Sequence, residues 1–188
     1  MANRLKANGY RSTAVLNLGI GGNCLTHECL GPNAVTRFNG DALSVPGVRS
    51  VIILEGINDI GGLTHNAPVS PEVHKAFVEQ IKTSLRQLAM AAKAHGIKAI
   101  GATVMPFFGS DYYHPDQTNE ADRQAINDFI RSSGTFDAVI DFDALTRDPK
   151  APEHLRAEYD CGDHLHPSAA GYKAMGDYIK LDALGLGQ

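Results

Sequence analysis

The fold of this chain is decided by the stretch Arg49-Ser50-Val51-Ile52-Ile53-Leu54-Glu55-Gly56-Ile57-Asn58-Asp59. Its apolar run from Val51 to Leu54 is unbroken, which is typical of a strand that other elements cover on both faces. The run stops before Gly56, and the residues that follow predict a loop. The stretch is therefore the best candidate for the central strand of a parallel sheet.

Further apolar segments on either side of this stretch predict alternating strands and helices. Strands are predicted at residues 12–18, 97–103 and 136–142, and the first of them, a buried one, closes on a glycine loop at residues 19–23. Helices are predicted at residues 3–8, 32–43, 70–96 and 120–133, and from Ser168 onward. This alternation predicts an α/β fold with helices on both faces of a parallel sheet.

Length and composition restrict the class of protein. The 188 residues are 43% hydrophobic and 20% charged, which suits one core, so residues 1–188 are expected to form a single domain. The formal net charge of −4 gives no basic surface of the kind that binds nucleic acid. No apolar run approaches the ~20 residues that cross a bilayer, and residues 1–6 lack the apolar core of a secretory signal. Neither a nucleic-acid partner nor a membrane span is expected.

The loops that follow the predicted strands form the candidate site. In an open parallel sheet, ligands bind outside the carboxyl ends of the strands. Residues 19–23, 56–62 and 104–115 meet that condition, as does the segment from residue 143 that leads to Asp163 and His166. A carboxylate three residues before a histidine could hold one ring nitrogen and leave the other free as a base. This pair predicts half of a catalytic site.

The loop at residues 104–115 is unusually rich in aromatic residues, namely Phe107, Phe108, Tyr112 and Tyr113. Two interpretations of them stay open. They could line a pocket for an acyl group or a sugar, or they could cover the end of the sheet.

The three cysteines, Cys24, Cys29 and Cys161, are too few for a disulfide framework and do not have the spacing of a zinc site. Three free thiols are the main expectation. Because Cys24 and Cys161 lie in loops predicted to face the same cleft, a disulfide between them is the alternative.

Two other kinds of ligand site have to be weighed in the same loops, a metal site and a dinucleotide-binding loop. His164 and His166 with Asp163 could bind a metal, since imidazole and carboxylate are common ligands, but no further ligand cluster is evident in the sequence. The glycine loop at residues 19–22 does not match the spacing of a dinucleotide-binding fingerprint. Neither a metal nor a cofactor is therefore expected.

Three motifs in this order resemble the SGNH, or GDSL, hydrolase family of esterases and lipases over essentially the whole chain. Gly56-Ile57-Asn58-Asp59 matches the family's third block, Gly-x-Asn-Asp, and Asp163-His164-Leu165-His166-Pro167 matches its fifth block, Asp-x-x-His-Pro. Residues 17–23 match the second block less closely, with Gly22 at the family glycine. The resemblance implies a three-layer α/β/α, flavodoxin-like fold with strand order 2-1-3-4-5.

The resemblance also implies roles for individual residues. His166 would be the general base and Asp163 its orienting carboxylate. Gly22, through its backbone N–H, and Asn58, through its side-chain amide, would donate to the oxyanion, and one such donor is worth about 10² to 10³ in turnover. Asp59, supported by Gly56, would brace its loop rather than react.

The activity implied is hydrolysis of a small-molecule ester or an acylated carbohydrate, of the carboxylesterase or acetylesterase type. Relatives of this branch are often secreted, which makes secretion of a longer parent plausible. The compartment of the 188-residue chain itself is left open, as is its oligomeric state.

The sequence departs from the family at its first block, Gly-Asp-Ser, which carries the nucleophile and is absent. None of the nine serines stands in that context: Ser12, Ser44, Ser50, Ser70, Ser84, Ser110, Ser132, Ser133 and Ser168. The strand that bears the block would be interior, between residues 12–18 and 49–55. The 188 residues are therefore interpreted as an N-terminally truncated domain.

The chain alone is expected to be inactive, because loss of a triad nucleophile costs roughly 10⁶ in turnover. Cys24, two residues after Gly22, is the one thiol placed to act as a substitute nucleophile, although the main expectation for it is a plain structural cysteine. The alternative function is that of a non-catalytic pseudoenzyme that binds an acyl group or a carbohydrate.

Overall fold

The computed structural model describes residues 1–186 and contains one parallel sheet of three strands. The strands are β1 (Ser50–Ile53), β2 (Lys98–Ala102) and β3 (Ala138–Ile140), in the order β1-β2-β3. Val51 lies opposite Ala99, and Ile100 lies opposite Ala138. The predicted parallel α/β sheet is confirmed, although β3 is shorter than the segment predicted at residues 136–142.

Seven α-helices connect and cover these strands within residues 1–186: α1 (Ala2–Ala7), α2 (Ala34–Phe38), α3 (Ile57–Thr64), α4 (Pro71–Ala94), α5 (Gln117–Ser132), α6 (Phe142–Thr146) and α7 (Ala169–Tyr178). A π-helical turn, Asn39–Leu43, extends α2, and a 3₁₀ turn, Asp182–Leu184, follows α7. No helix in this part of the chain is both long and apolar enough to cross a membrane.

Two apolar cores lie on opposite faces of the sheet. On one face, Ile53 and Ala99 pack with the buried stripe of α4. On the other face, Ile100 packs with Leu5 of α1 and Met175 of α7. Successive residues of a strand point to opposite faces, so β2 supplies a side chain to each core in turn. This arrangement confirms the predicted three-layer α/β/α architecture.

The segment at residues 12–18, predicted to be a buried strand, is not a strand. Val15, Leu16 and Leu18 are 47%, 57% and 43% exposed. Residues 14–19 make no backbone hydrogen bond to other backbone within the described chain. The composition correctly indicated an extended apolar segment, but a strand also needs a neighbour for its N–H and C=O groups. Within the described residues, no strand pairs with this segment, and β1 pairs only with β2.

The strand β1 is also less covered than its apolar run predicted. Ile53 is buried, whereas Ile52 is 36% exposed. The reason is the same missing neighbour, because β1 pairs only with β2 in the described part of the sheet. An apolar run predicts burial on both faces only when the strand is flanked on both sides.

The predicted loop at residues 56–62 is largely the helix α3. Gly56 precedes it with a φ of +117°, a conformation that favours glycine. Within this helix Gly61 is required by space, because a Cβ at this position would lie 2.3 Å from the Tyr113 ring. The two adjacent glycines, Gly61 and Gly62, concealed the helical spacing of Ile57, Ile60 and Leu63 in the sequence.

Candidate active site

The turn before α7 brings the predicted base and carboxylate together. Nδ1 of His166 lies 2.7 Å from Oδ2 of Asp163. Oδ1 of the same carboxylate accepts the backbone N–H groups of His166, at 2.8 Å, and Leu165, at 2.9 Å. The His166 side chain is 59% exposed, which leaves Nε2 open to a ligand. The pair therefore has the geometry of an oriented general base.

The charge of Asp163 is strongly stabilised. Partial burial raises the pKa of this carboxyl, but the hydrogen bonds from the His166 backbone and ring, from Leu165 and from Cys161 outweigh it. Together they hold the pKa of Asp163 well below its usual range. Asp163 is therefore an anion throughout the range in which an imidazole changes charge, and it can hold the His166 ring continuously.

The turn is also fixed to the rest of the domain. Leu165 is 8% exposed and belongs to the same core as Phe107 and Tyr113. The N–H of Cys161 donates to the His166 carbonyl at 3.1 Å, and the N–H of Ser168 donates to the Tyr159 carbonyl at 2.7 Å. Ser168 caps α7 by accepting the N–H of Gly171. The position of His166 is thus set by packing and by hydrogen bonds.

Asn58, in the first turn of α3, has its amide held at both ends. Its Nδ2 donates to the Asn23 carbonyl at 2.7 Å, and its Oδ1 accepts the Tyr113 hydroxyl at 2.8 Å. A primary amide has two N–H groups, so one remains available to a ligand. Burial raises the pKa of Tyr113, and electrostatic repulsion from Tyr112 and Asp59 raises it further. The Tyr113 hydroxyl therefore stays a donor at neutral pH.

Gly22 adopts a φ of +72° beside this amide's partner, Asn23. A Cβ at this position would lie 2.6 Å from Cδ1 of the exposed Leu30 side chain, which has room to move, so it is the left-handed backbone conformation that favours glycine here. Its carbonyl accepts the N–H of Leu30 at 3.2 Å, whereas its own N–H makes no hydrogen bond within residues 1–186. That N–H is available as a donor.

Asp59 joins this loop to α3. It is 1% exposed, and its Oδ2 accepts the Leu25 N–H at 2.8 Å. Its Oδ1 accepts the N–H of Thr26 at 3.1 Å and the Thr26 hydroxyl at 2.9 Å. With its lone pairs occupied in this way, Asp59 holds the loop that contains Asn23 against the first turn of α3.

The cysteines differ from both expectations. Cys24 and Cys29 form a disulfide, and Cys161 is free and exposed. The prediction of three free thiols is therefore wrong, and so is the alternative of a Cys24–Cys161 bridge. The hypothesis that Cys24 is a substitute nucleophile is also wrong, because its sulfur is bonded and the residue is fully buried. The loop between Cys24 and Cys29 folds back so that their Cα atoms lie 5.6 Å apart, which the sequence spacing did not reveal.

The aromatic residues of the loop at residues 104–115 divide into two groups. Phe107 and Tyr113 are 1% and 8% exposed and cover the end of the sheet as part of the core. Tyr112 is 65% exposed, and the Phe108 ring lies 5.3 Å from the ring of His154 near the surface. The second group remains open to a ligand.

The two histidines of the fifth block hold different carboxylates. Nδ1 of His164 lies 2.6 Å from Oδ2 of Asp160, whereas His166 pairs with Asp163. Within residues 1–186, the clusters of three close metal-ligating side chains are Cys24 with His27 and Cys29, and Asp160 with Cys161 and Asp163. Neither cluster contains the predicted alternative set of both histidines with Asp163.

Two arginines that support the site were missed in the sequence. Nε of Arg37 donates to Oδ1 of Asn23 at 3.0 Å, so this arginine holds the side chain of the residue whose backbone carbonyl Asn58 binds. Arg123 is fully buried and joins the segments that follow two strands, since it donates to the Val104 carbonyl and to Asp143, each at 2.8 Å. Charged residues in helices are usually solvated, so the sequence carried no clear signal for either.

The loop at residues 104–115 connects the two halves of the site. Tyr113 donates to Asn58 and packs in the same core as Leu165, which stands beside His166. The Tyr113 ring that orients Asn58 and the Leu165 side chain beside His166 therefore belong to the same apolar core.

The sequence model of the GDSL-like lipase/acylhydrolase family matches residues 1–174. The chain belongs to this family. The resemblance inferred from the three motifs is thereby confirmed, and the chain is a hydrolase by family. Among the curated proteins, none matches it.

Solved structures with the same fold include other GDSL proteins and esterases. A GDSL-like lipase from Bacteroides thetaiotaomicron VPI-5482 has a TM-score of 0.68 at 21% identity, over 96% of this GDSL-family chain and 78% of that one. Axe2, an acetylxylan esterase from Geobacillus stearothermophilus, has a TM-score of 0.65 at 20% identity, over 99% and 80%. An alpha/beta hydrolase from the metagenome of Lake Arreo, Spain, has a TM-score of 0.67 at 18% identity, over 98% and 79%. At these identities the likeness establishes the fold.

Proposed function

We propose that this site hydrolyses esters, with His166 as general base and acid, Asp163 as its orienting carboxylate, and Gly22 and Asn58 as oxyanion donors. The observation that carries the proposal is the His166–Asp163 pair, with Nδ1 held at 2.7 Å and Nε2 exposed. A base in this state needs an adjacent hydroxyl to act in acyl transfer. We further propose that this hydroxyl belongs to a serine outside the 188 residues.

The chemistry follows from these positions. Nε2 of His166 takes the proton of the serine hydroxyl as its oxygen attacks the ester carbonyl carbon, and the free N–H groups of Gly22 and Asn58 stabilise the oxyanion. The ester C–O bond then breaks, and the imidazolium gives its proton to the departing alcohol. Water, deprotonated by the same nitrogen, attacks the acyl-serine and releases the carboxylic acid and the serine.

The substrate we propose is a small ester or an acylated carbohydrate. A site with donors for one oxyanion and an oriented base suits acyl transfer of any small acyl group, and the acetylxylan esterase among the solved structures supports an acetylated sugar. The exposed Tyr112 and the half-buried Phe108 are the residues proposed to contact the alcohol portion, since aromatic faces pack well against sugars.

The test compares two proteins. One is the 188-residue chain, and the other, the extended chain, carries at its N-terminus a strand that ends in Gly-Asp-Ser and leads into α1. We expect no hydrolysis of p-nitrophenyl acetate above background by the first protein and measurable turnover by the second. Replacing the serine of the extension by alanine should return turnover to background. Equal rates in all three proteins would contradict the serine mechanism.

The second candidate function is a pseudoenzyme that binds an acyl group or a carbohydrate without turnover. The exposed Tyr112 favours it, together with the half-buried Phe108, because these residues remain available for binding whether or not a nucleophile is present. Calorimetric titration of an acetylated xylo-oligosaccharide into the 188-residue chain tests it. Binding by an extended chain that remains inactive would favour this function over hydrolysis.

A further inference from the structure

Three side chains with sulfur or nitrogen ligand atoms lie together in the loop at residues 24–29. Nε2 of His27 lies 3.3 Å from Sγ of Cys29, which forms the disulfide with Cys24. The Sγ atoms of both cysteines and a ring nitrogen of His27 all lie within 4.8 Å of one another. Thiolate sulfur and imidazole nitrogen are the ligands that Zn²⁺ prefers in proteins. The loop therefore brings together a set of zinc ligands.

The His27 ring is already oriented as a metal-bound imidazole is in proteins. Its Nδ1 lies 3.3 Å from the Thr26 hydroxyl oxygen and 3.7 Å from Oδ1 of Asp59, a carboxylate that is 1% exposed. A ligand histidine usually directs one ring N–H to a carboxylate or another acceptor, which leaves its other nitrogen unprotonated for the metal. In His27, Nδ1 faces such acceptors and Nε2 faces the sulfur of Cys29.

The positions of these atoms suit one tetrahedral zinc ion once the disulfide is reduced. With Zn–S bonds of about 2.3 Å and Zn–N bonds of about 2.0 Å, two sulfurs lie about 3.8 Å apart, and a sulfur and a nitrogen about 3.5 Å apart. The distance of 3.3 Å between Nε2 of His27 and Sγ of Cys29 is close to the second value. Reduction lets the two sulfurs separate, and the exposed Cys29 can rotate while Cys24 stays fully buried.

We propose that Cys24, His27 and Cys29 form a redox-controlled zinc site. A dithiol attacks the exposed sulfur of Cys29, and its second thiol resolves the mixed disulfide, which leaves two cysteine thiols and the oxidised dithiol. Zn²⁺ then displaces the two thiol protons and binds both thiolates and Nε2 of His27, with its fourth position open to water. Hydrogen peroxide reverses this state: the thiolates are oxidised to the disulfide, the peroxide takes up two protons and is reduced to water, and Zn²⁺ leaves.

Hydrogen bonds that do not involve the cysteine sulfurs keep the loop in place in the reduced state. Asp59 accepts the N–H groups of Leu25 and Thr26 at 2.8 and 3.1 Å. The Cys24 carbonyl accepts the N–H of Ala34 at 2.9 Å. The ligands therefore stay near one another when the disulfide opens, and zinc closes the loop in its place. None of the three ligands takes part in the proposed ester hydrolysis, so the zinc site does not depend on that activity.

The test uses the 188-residue protein, reduced with a phosphine that is then removed without oxygen, and Co²⁺ as a spectroscopic substitute for Zn²⁺. The reduced protein should bind one equivalent of Co²⁺ and show thiolate-to-cobalt charge-transfer bands together with the visible bands of a tetrahedral ion. Zn²⁺ should displace Co²⁺ and abolish these bands. The oxidised protein should show none of them. Zn²⁺ should also raise the Tm of the reduced protein, because it binds the folded loop.

Two variants locate the ligands. His27→Ala and Cys29→Ser each remove one ligand at an exposed position and should weaken Zn²⁺ binding by the reduced protein at least tenfold, measured by competition with a chromophoric chelator. The matched controls are His95→Ala, at an exposed histidine of the segment after α4, and Cys161→Ser, at the exposed free cysteine. Both controls should leave the affinity unchanged. Circular dichroism of each reduced variant should match that of the reduced parent.

Peroxide supplies the last arm of the test. It should release the bound Zn²⁺, with two thiols lost to Ellman's reagent for each ion released. Retention of zinc after oxidation, or equal binding by the oxidised protein, would overturn the redox control. Binding that is unchanged in His27→Ala or Cys29→Ser, or that Cys161→Ser abolishes, would overturn the ligand set and indicate adventitious binding. A reduced protein that unfolds and does not refold with Zn²⁺ would also overturn the proposal.

Discussion

Asp163 is held in its charged form by hydrogen bonds from the His166 ring and from two backbone N–H groups, and this determines how His166 can act. The carboxylate accepts the His166 ring and two backbone N–H groups, so the ring has one orientation and its Nδ1 keeps a proton. The proposed base is therefore preorganised before any substrate binds.

Replacing Asp163 by Asn tests this orientation. The amide can present its N–H to Nδ1 and stabilise the wrong tautomer, so turnover of the extended chain should fall roughly 10³- to 10⁴-fold with little change in KM. The measurement is the steady-state hydrolysis of p-nitrophenyl acetate. Asp160→Asn, at the neighbouring His164 pair, is the control and should leave turnover within about twofold; an equal loss in both variants would reject the special role of Asp163.

Tyr113 orients Asn58 through a single hydrogen bond, and Tyr113→Phe removes only that hydroxyl. We expect about tenfold lower turnover of the extended chain with KM nearly unchanged, because a misaligned donor weakens the transition state more than the ground state. The free energy of unfolding should fall by about 1 kcal/mol. Tyr112→Phe, at the exposed neighbouring ring, is the control. A change in KM alone would contradict an oxyanion role for Asn58.

Glu55, beside Arg37 at the end of β1, predicts a pH-dependent stability. Burial raises the pKa of Glu55 to about 7, despite the opposing attraction of Arg37. The folded protein then binds this proton more tightly than the unfolded chain does, so the carboxyl destabilises the fold progressively as pH rises from about 4.5 to about 7.

Glu55→Gln should remove that dependence. At each pH, the unfolding free energy of the variant is compared with that of the parent protein. As the pH rises from about 5 to about 8, this difference should shift by on the order of 2 kcal/mol in favour of the variant. Urea unfolding at both pH values provides the measurement. Glu79→Gln, at a side chain that is 63% exposed on α4, is the control, and a parallel shift of both variants would contradict the assignment to Glu55.

At the scale of elements, the loop that carries Gly22 and Asn23 is held by the Cys24–Cys29 disulfide as well as by Asp59. Cys29→Ser should lower the free energy of unfolding by about 2 kcal/mol, since a short loop loses its cross-link. Chemical denaturation measures the change. Cys161→Ser should have no comparable effect, and the native parent should show one thiol reactive toward Ellman's reagent; three reactive thiols would contradict the disulfide.

The sequence predicted elements best where periodicity and end signals agreed. The helix α4 begins after Ser70 with Pro71 and ends before Gly96, as its capping residues indicated. The prediction of a strand at residues 12–18 was wrong because apolar composition indicates only a preference for burial. A strand also requires a pairing partner, and the described chain does not supply one. The helix α3 was missed because Gly61 and Gly62 are poor helix formers, although close approach of Tyr113 requires Gly61.

At the scale of the whole molecule, the residues predicted from local motifs were easier to find than those that support them. Asp163 and His166 share one turn, so their spacing alone predicted the observed pair. Arg37, Tyr113 and Arg123 contact residues far away in the sequence, and no local pattern identifies such partners. The same limit concealed the disulfide, because the fold of the loop brings Cys29 back to Cys24.

We propose that the domain holds the base and the oxyanion donors of an ester hydrolase whose nucleophile is a serine outside the 188 residues. The most direct measurement is kcat/KM for p-nitrophenyl acetate in the extended chain, with and without His166→Ala. We predict measurable turnover that falls by at least roughly 10³-fold in the variant, as expected for loss of a triad base. Turnover that is unchanged by His166→Ala would contradict the account.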